Sequence, residues 1–340
     1  MRVSVMSDLH LEFHDIELPG GDILCLAGDC FVAAHLCGWQ TDAVSCALRK
    51  RFTRFVKKEL SKYKHVFYVP GNHDFYRGLF EDSAGLLAKF LSEHAPHAKV
   101  LDNETVAAGG VAFIGSTLWA TYGHGAYAAF EIGRNMNDFV LIRTKNGMGN
   151  EKFPAVQPDG RRIAVPDIYG RHKECMAYLR KALKWSRSTE IPAIVITHHA
   201  PSYMCKSKTF KHSDNGMEDA YYSNQHKLIE ENPQIMVWMH GHTHDDCNLQ
   251  IGDTRIISNQ RGYFPSEGRS RYFEPAAADF DLEEAKAGAR IFQERAKLTA
   301  RFRGRPEPID YSEAGVPHLL ECDNDEAKKP GDAPGAKEAN

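Results

Sequence analysis

No apolar run in this chain of 340 residues approaches the ~18 residues of a membrane-spanning helix. Its eight cysteines, Cys25, Cys30, Cys37, Cys46, Cys175, Cys205, Cys247 and Cys322, include no C-x-x-C pair. They sit among apolar or loop residues of a chain long enough to need no staples, and read as reduced thiols of a cytoplasmic protein. Strong charge of either sign is also missing. A net charge of −3 sets up no global basic field, so composition does not announce a nucleic-acid binder. There is no internal repeat. The opening Met1-Arg2-Val3-Ser4 enters a strand pattern at once and lacks the shape of a signal peptide. What remains is an ordinary soluble globular composition, 42% hydrophobic and 26% charged, with length for one large domain or two.

The chemistry-bearing residues lie where short apolar runs stop. The run Val66-Phe67-Tyr68-Val69 reads as a buried strand and ends in Pro70-Gly71-Asn72-His73-Asp74. Asn offers a neutral oxygen ligand, His a titratable nitrogen, and Asp a carboxylate able to orient the His. The strand pattern at 2–6 ends in Asp8-Leu9-His10, whose i, i+2 spacing turns a carboxylate and an imidazole the same way. The run at 22–27 ends in Gly28-Asp29. The run Ala193-Ile194-Val195-Ile196 ends in Thr197-His198-His199-Ala200-Pro201, where only one of the two histidines can face a given site in an extended segment. The run Ile235-Met236-Val237-Trp238-Met239 ends in His240-Gly241-His242-Thr243-His244. Any one of these could be a polar turn.

Between the strands, residues 42–62, 79–94, 171–187 and 224–231 read as helices, with further strands at 98–101 and 110–115 and a hairpin over 247–258. This alternation predicts an α/β layered fold. Arg49, Lys50, Arg54, Lys57 and Lys58 lie mostly off the apolar stripe of the first helix, as a solvated basic face does. From 119 to 170 periodicity breaks down, yet Trp119, Tyr122, Phe130, Phe139 and Phe153 argue against disorder. We expect a cap over the site there, with Arg134, Asn135, Asn137 and Asp138 as pocket polars or a loop network. The expected organisation is a catalytic unit over 1–275 containing that insertion, a helical extension over 276–322, and a disordered tail over 323–340.

In layered α/β sheets, sites gather at the carboxyl ends of strands. Asp8, His10, Asp29, Asn72, His73, His198 or His199, His242 and His244 can therefore converge. That is about twice the ligand set of one zinc site, and fits two metals sharing a carboxylate. Nitrogen and oxygen donors without thiolate suit Mn, Fe or Zn, with Ni or Co also compatible.

The ordered set Asp8-Leu9-His10, Gly28-Asp29, Gly71-Asn72-His73-Asp74, His199-Ala200-Pro201 and Gly241-His242-Thr243-His244 resembles the calcineurin-like metallophosphoesterase superfamily, in its bacterial dinuclear form. The resemblance implies a four-layer α-β-β-α sandwich and a dinuclear centre. By it, Asp8, His10 and His244 would hold one metal, Asn72, His199 and His242 the other, and Asp29 would bridge. His73 would be the catalytic histidine, oriented by Asp74. Arg261, in Asn259-Gln260-Arg261-Gly262-Tyr263, would face phosphate, and the extra His240 would pack at the strand end or support the ligands. The implied reaction is hydrolysis of a phosphomonoester or phosphodiester, manganese being one candidate ion. The ester could belong to a nucleotide or a nucleic acid; a nuclease or nucleic-acid end-processing phosphoesterase, and an inactive scaffold of the same fold, are the competing readings.

Overall fold

The computed structural model describes residues 1–36, 40–121, 126–145, 160–206 and 217–289, within a compact unit running from Met1 to Arg295. Its strands in chain order are β1 (Arg2–Met6), β2 (Gly21–Leu26), β3 (Tyr63–Tyr68), β4 (Ala98–Val100), β5 (Glu104–Ala108), β6 (Val111–Ser116), β7 (Arg143–Thr144), β8 (Arg161–Arg162), β9 (Ala193–Thr197), β10 (Ile235–Met239), β11 (Cys247–Ile251), β12 (Thr254–Ser258) and β13 (Phe280–Asp281). The helices are α1 (Ala43–Lys58), α2 (Ser83–His94), α3 (Ala126–Asn135), α4 (Asp138–Leu141), α5 (Val165–Ser188) and α6 (His226–Glu230).

One sheet runs β13-β1-β2-β3-β4, parallel except for β13 at its edge. The other runs β11-β12-β10-β9-β6-β5, with its four inner strands parallel and a hairpin at each edge. Side-chain alternation divides the core into layers. Leu24 and Leu26 of β2 face Phe52, Val56, Leu87 and Leu91 of α1 and α2. Ile23 and Cys25 face the second sheet, meeting Phe113, Ile194 and Val237. Beyond that sheet, Ile114, Val195 and Trp238 pack on Leu179 and Leu183 of α5 and Ile229 of α6. The order is thus helix, sheet, sheet, helix.

Four features depart from the sequence reading. β5 was not legible: its pattern of half-exposed residues carries no clean alternation. α5 begins at Val165, because Pro166 suits a first turn and Asp167 accepts from the Ala164 N–H at 2.7 Å. The described residues between 119 and 170 are structured rather than loop alone. They contribute α3, α4 and the β7–β8 ribbon, and Trp119, Ile132, Phe139, Ile142 and Ile168 form their own cluster with Phe75 and Tyr76. Tyr122 and Phe153 lie outside the described residues. The 275 boundary falls within the compact unit, since β13 pairs with β1 and the helix over 282–289 sends Leu282 and Ala289 into the core between the sheets. The tail over 323–340 lies outside the described residues.

Phe67 of β3 and Phe113 of β6 join the sheets, with ring centroids 4.6 Å apart and both side chains buried. Phe113→Ala should destabilise the fold by about 3–5 kcal/mol through the cavity it leaves. Urea unfolding would register this as a lower midpoint at unchanged slope. A cost below about 1 kcal/mol would mean that the sheets do not pack through this pair.

Candidate metal centre

Each motif sits just past the carboxyl end of a parallel strand. Asp8 and His10 follow β1, Asp29 follows β2, Asn72 and His73 follow β3, the histidine pair follows β9, and His242 and His244 follow β10. Because β1, β2 and β3 belong to one sheet and β9 and β10 to the other, the loops meet across the top of the sandwich. Backbone bonds lash them together: Asp8 N to Gly28 O at 3.0 Å, His10 N to Asp29 O at 2.9 Å, and Gly241 N to His198 O at 2.9 Å. Asp8, His10, Asp29, His242 and His244 all have positive φ, between 44° and 70°. L side chains rarely adopt that conformation, and such residues gather at functional sites.

Two donor groups result. Asp8, His10 and His244 form one, and Asp29, His198 and His242 the other; within each, the donor atoms lie within 4.8 Å of one another. In the first, His10 Nδ1 donates to Glu12 Oε1 at 3.2 Å and His244 Nδ1 donates to Glu267 Oε1 at 2.9 Å. Burial would raise the Glu12 carboxyl, but bonds from His10 and His73 outweigh it and bring it down to about 2. Glu12 is therefore a pure acceptor, which fixes the proton of His10 on Nδ1. His10 Nε2 and His244 Nε2 then face each other at 3.1 Å, with Asp8 Oδ1 at 3.4 Å from the latter. Lone pairs meet lone pairs and a carboxylate, an arrangement that a cation satisfies.

The second group repeats the pattern. His198 Nδ1 donates to Ala27 O at 2.7 Å, so Nε2 presents its lone pair to Asn72 Oδ1 at 2.9 Å and Asp29 Oδ2 at 3.4 Å. Asn72 is held the right way round because its Nδ2 donates to Asp138 Oδ1 at 2.8 Å and to the Tyr76 hydroxyl at 3.2 Å. His242 Nε2 donates to Ala220 O at 3.3 Å, which leaves Nδ1 with the lone pair. The donor chemistry in both groups fits divalent ions.

The H-x-P frame selects His199, but the structure turns His198 into the group. The chain leaves strand geometry at Thr197, and His199 tucks beneath, its N–H bonded to Thr117 O at 3.2 Å and its ring 5.3 Å from Trp119. Burial lowers the His199 pKa well below its usual range, so its buried, unpartnered Nε2 is neutral.

Asp74 does not orient His73. Its carboxylate accepts from the N–H groups of Asp29, Phe31 and Gly71 and from the Tyr68 hydroxyl, bracketing the loops after β2 and β3. Burial and the charge of Asp29 push it up to about 7. His73 points the other way, with Nδ1 3.6 Å from Glu12 and Nε2 2.9 Å from the Tyr263 hydroxyl.

Neither arginine faces the centre. Arg261 donates to Leu9 O, His14 O and Asp15 O and lies over the Phe264 ring. Arg134 is exposed, 5.4 Å over Phe130 on α3. His240 faces Cys205 and Cys247 instead of the centre. Hydrogen bonding from the Cys205 thiol outweighs burial and brings the Cys247 thiol down to about 5.

The description "Calcineurin-like phosphoesterase" belongs to a family model that matches residues 1–246. An uncharacterized protein, L509, of Acanthamoeba polyphaga mimivirus is 27% identical over 304 residues, spanning 81% of this chain and 95% of that protein. The crystal structure of a phosphopantetheinyl hydrolase (PptH) from Mycobacterium tuberculosis superposes with a TM-score of 0.50 at 15% identity, covering 77% of this chain and 89% of that one. The latter is a likeness of fold.

Without ions, the carboxylates recruit protons onto the imidazoles. Burial lowers the His198 pKa, but Asp29 reverses this and raises it from 6.5 to about 9; bonds to Asp8 and Glu267 likewise carry His244 to about 10. Raised values mean stability that is full below pH 6.5 and lost as pH climbs through about 9 to about 10. Loading metal at pH 7 should release ~2 protons per chain. Titration calorimetry in buffers of different ionisation enthalpy measures this, and a heat independent of buffer would remove the imidazolium pair.

Proposed function

We propose, from the premise that the chain belongs to the calcineurin-like phosphoesterase family, that it hydrolyses small phosphoesters at a two-metal centre. Family membership makes the protein a metal-dependent phosphoester hydrolase; the pairing of ions and the class of ester are our reading. The observation that carries it is the two neighbouring donor groups, each with imidazole lone pairs aimed at carboxylate. In this reading Asp8, His10 and His244 would hold one ion, Asn72, His198 and His242 would hold the other, and the Asp29 carboxylate would serve both. Mn, Fe or Zn suit these nitrogen and oxygen donors. Two such ions would neutralise phosphoryl charge and activate water for in-line attack on phosphorus.

The chain's own part is to position the ester and supply a proton. His73 is the acid. Burial alone would lower its pKa, but Asp29 and Glu12 raise it, which favours the protonated ring. With Nδ1–H toward Glu12, the Nε2–H now given to the Tyr263 hydroxyl is free to pass to a leaving oxygen. Short of transfer, the same cation stabilises charge on the phosphoryl oxygens.

A compact ester is favoured over a nucleic-acid strand. Much of the basic face of α1 is already engaged: Arg49 with His35 O and Gln40 O, Arg51 with Leu11 O and Glu12 O, Arg54 with Asp15, and Lys58 with Glu17. The arginines beyond residue 290 lie outside the described residues. Six described cysteines are unpaired, which supports a reducing, cytoplasmic setting. No helix among the described residues is long and apolar enough to cross a membrane.

His73→Ala should retain both ions and the fold while hydrolysis of alkyl or ribose esters falls by roughly 10²–10⁴-fold. Aryl esters, whose leaving oxygens need no proton, should suffer less. Equal losses on a panel of mono-, di- and cyclic esters would leave His73 only its charge-stabilising part, and a lost ion would make it a ligand.

Metal analysis tests the ligands. Asp29→Ala should lower occupancy of both ions and Asp8→Ala mainly of one. His198→Ala should cost more metal than His199→Ala. The reverse ranking would restore the H-x-P residue as ligand.

A further inference from the structure

Cys205, His240 and Cys247 come from three separate places: a turn after β9, the residue past β10, and the start of β11. All three are buried, at 5%, 0% and 8% exposure, and their donor atoms lie within 4.8 Å of one another. They sit on the helix-facing side of the second sheet, where the two cysteines pack in the cluster of Trp238 and Tyr222. His242, by contrast, turns to Asp29 and His198.

The His240 ring identifies what is missing. Its Nδ1 lies 3.1 Å from Gly241 O, and a carbonyl only accepts, so Nδ1 carries the hydrogen. Its Nε2 bears a lone pair, is buried, and has no hydrogen-bond partner. A fully buried imidazole nitrogen left bare beside two sulfurs is the pattern of a ligand set rather than of satisfied packing. Cys25, which is also buried, lies among aliphatic side chains in the core between the sheets and has no place in such a group.

We propose that Cys205, His240 and Cys247 form a third metal site, for a thiophilic d¹⁰ cation, zinc or copper(I), distinct from the nitrogen-and-oxygen donors of the phosphoesterase centre. Two thiolates and one imidazole are the ligands such ions select. No bond in the reaction runs through it. Its role is to clamp the segment that follows His198 to the strand ends that flank His242 and His244, so that the loops on this side of the centre keep their spacing. Binding would displace the thiol protons to solvent, one from each cysteine still protonated.

Cobalt(II) separates this site from the other, because only thiolate ligands give intense sulfur-to-cobalt charge transfer in the near ultraviolet. The full chain, stripped of metal and titrated with cobalt under reducing conditions, should develop that absorption. Cys205→Ser/Cys247→Ser should abolish it and bind one zinc fewer per chain. His240→Gln should weaken it. Elemental analysis of the protein as isolated from cells then decides between zinc and copper(I). If the double variant fails to fold, the wild-type spectrum alone decides. Absence of the band, equal zinc binding by both proteins, or a Cys205–Cys247 disulfide in the native protein would overturn the proposal. Since the band does not depend on phosphoester hydrolysis, its failure and a failure of the two-metal reading are told apart.

Discussion

The conflict between two histidine nitrogens governs the top of this molecule. His10 Nε2 and His244 Nε2 stand 3.1 Å apart, and their other nitrogens are committed to Glu12 and Glu267. At most one proton can lie between them, and a buried carboxylate stands alongside. A protein interior does not tolerate unmatched lone pairs at this density without a cation, whether proton or metal. The neighbouring loops answer to the same demand. Asn72 is turned by Asp138, His198 by a carbonyl, and His242 by another, each so that a free electron pair points inward.

Holding this arrangement strains the backbone. Five donors occupy left-handed conformations, each disfavoured for an L residue by about 1–2 kcal/mol. Glycine permits the close approaches between them. A Cβ at Gly71 would lie 2.1 Å from Asp29 Oδ1, and one at Gly241 would lie 2.0 Å from Ser7 Oγ. The strain persists because two sheets, joined through a shared apolar layer, over-determine where the loops begin.

That division explains what could be read from the chain. Strand ends were legible because apolar runs stop abruptly at polar residues, and parallel strands deliver those residues to one edge. Asp8, His10, Asp29, Asn72, His242 and His244 come together as the spacing suggested, and the layering followed from the same runs. The choice between His198 and His199 was not legible, because alternation ends with the strand and a backbone bond to Thr117 decides the turn. Glu12 and Glu267 carry no local pattern: they matter only through histidines whose orientation the fold supplies. Asp74 looked like the partner of His73 by adjacency, yet peptide N–H groups from two loops compete for it and win. Cys205 and Cys247 are too far apart in sequence for any spacing rule to join them.

The bond between Asn72 and Asp138 has a consequence for how such a protein can change. Asp138 begins α4, a helix of the insertion rather than of the sandwich. Its carboxylate is nonetheless what orients an amide in the centre, and its second oxygen is buried without a partner. The insertion is therefore not a detachable module. Exchanging it would also release Asn72, and any movement of α4 would be transmitted to the centre through one side chain. By reciprocity, whatever fixes Asn72 must also steady α4. The insertion and the orientation of Asn72 are coupled here, and drift in one constrains drift in the other.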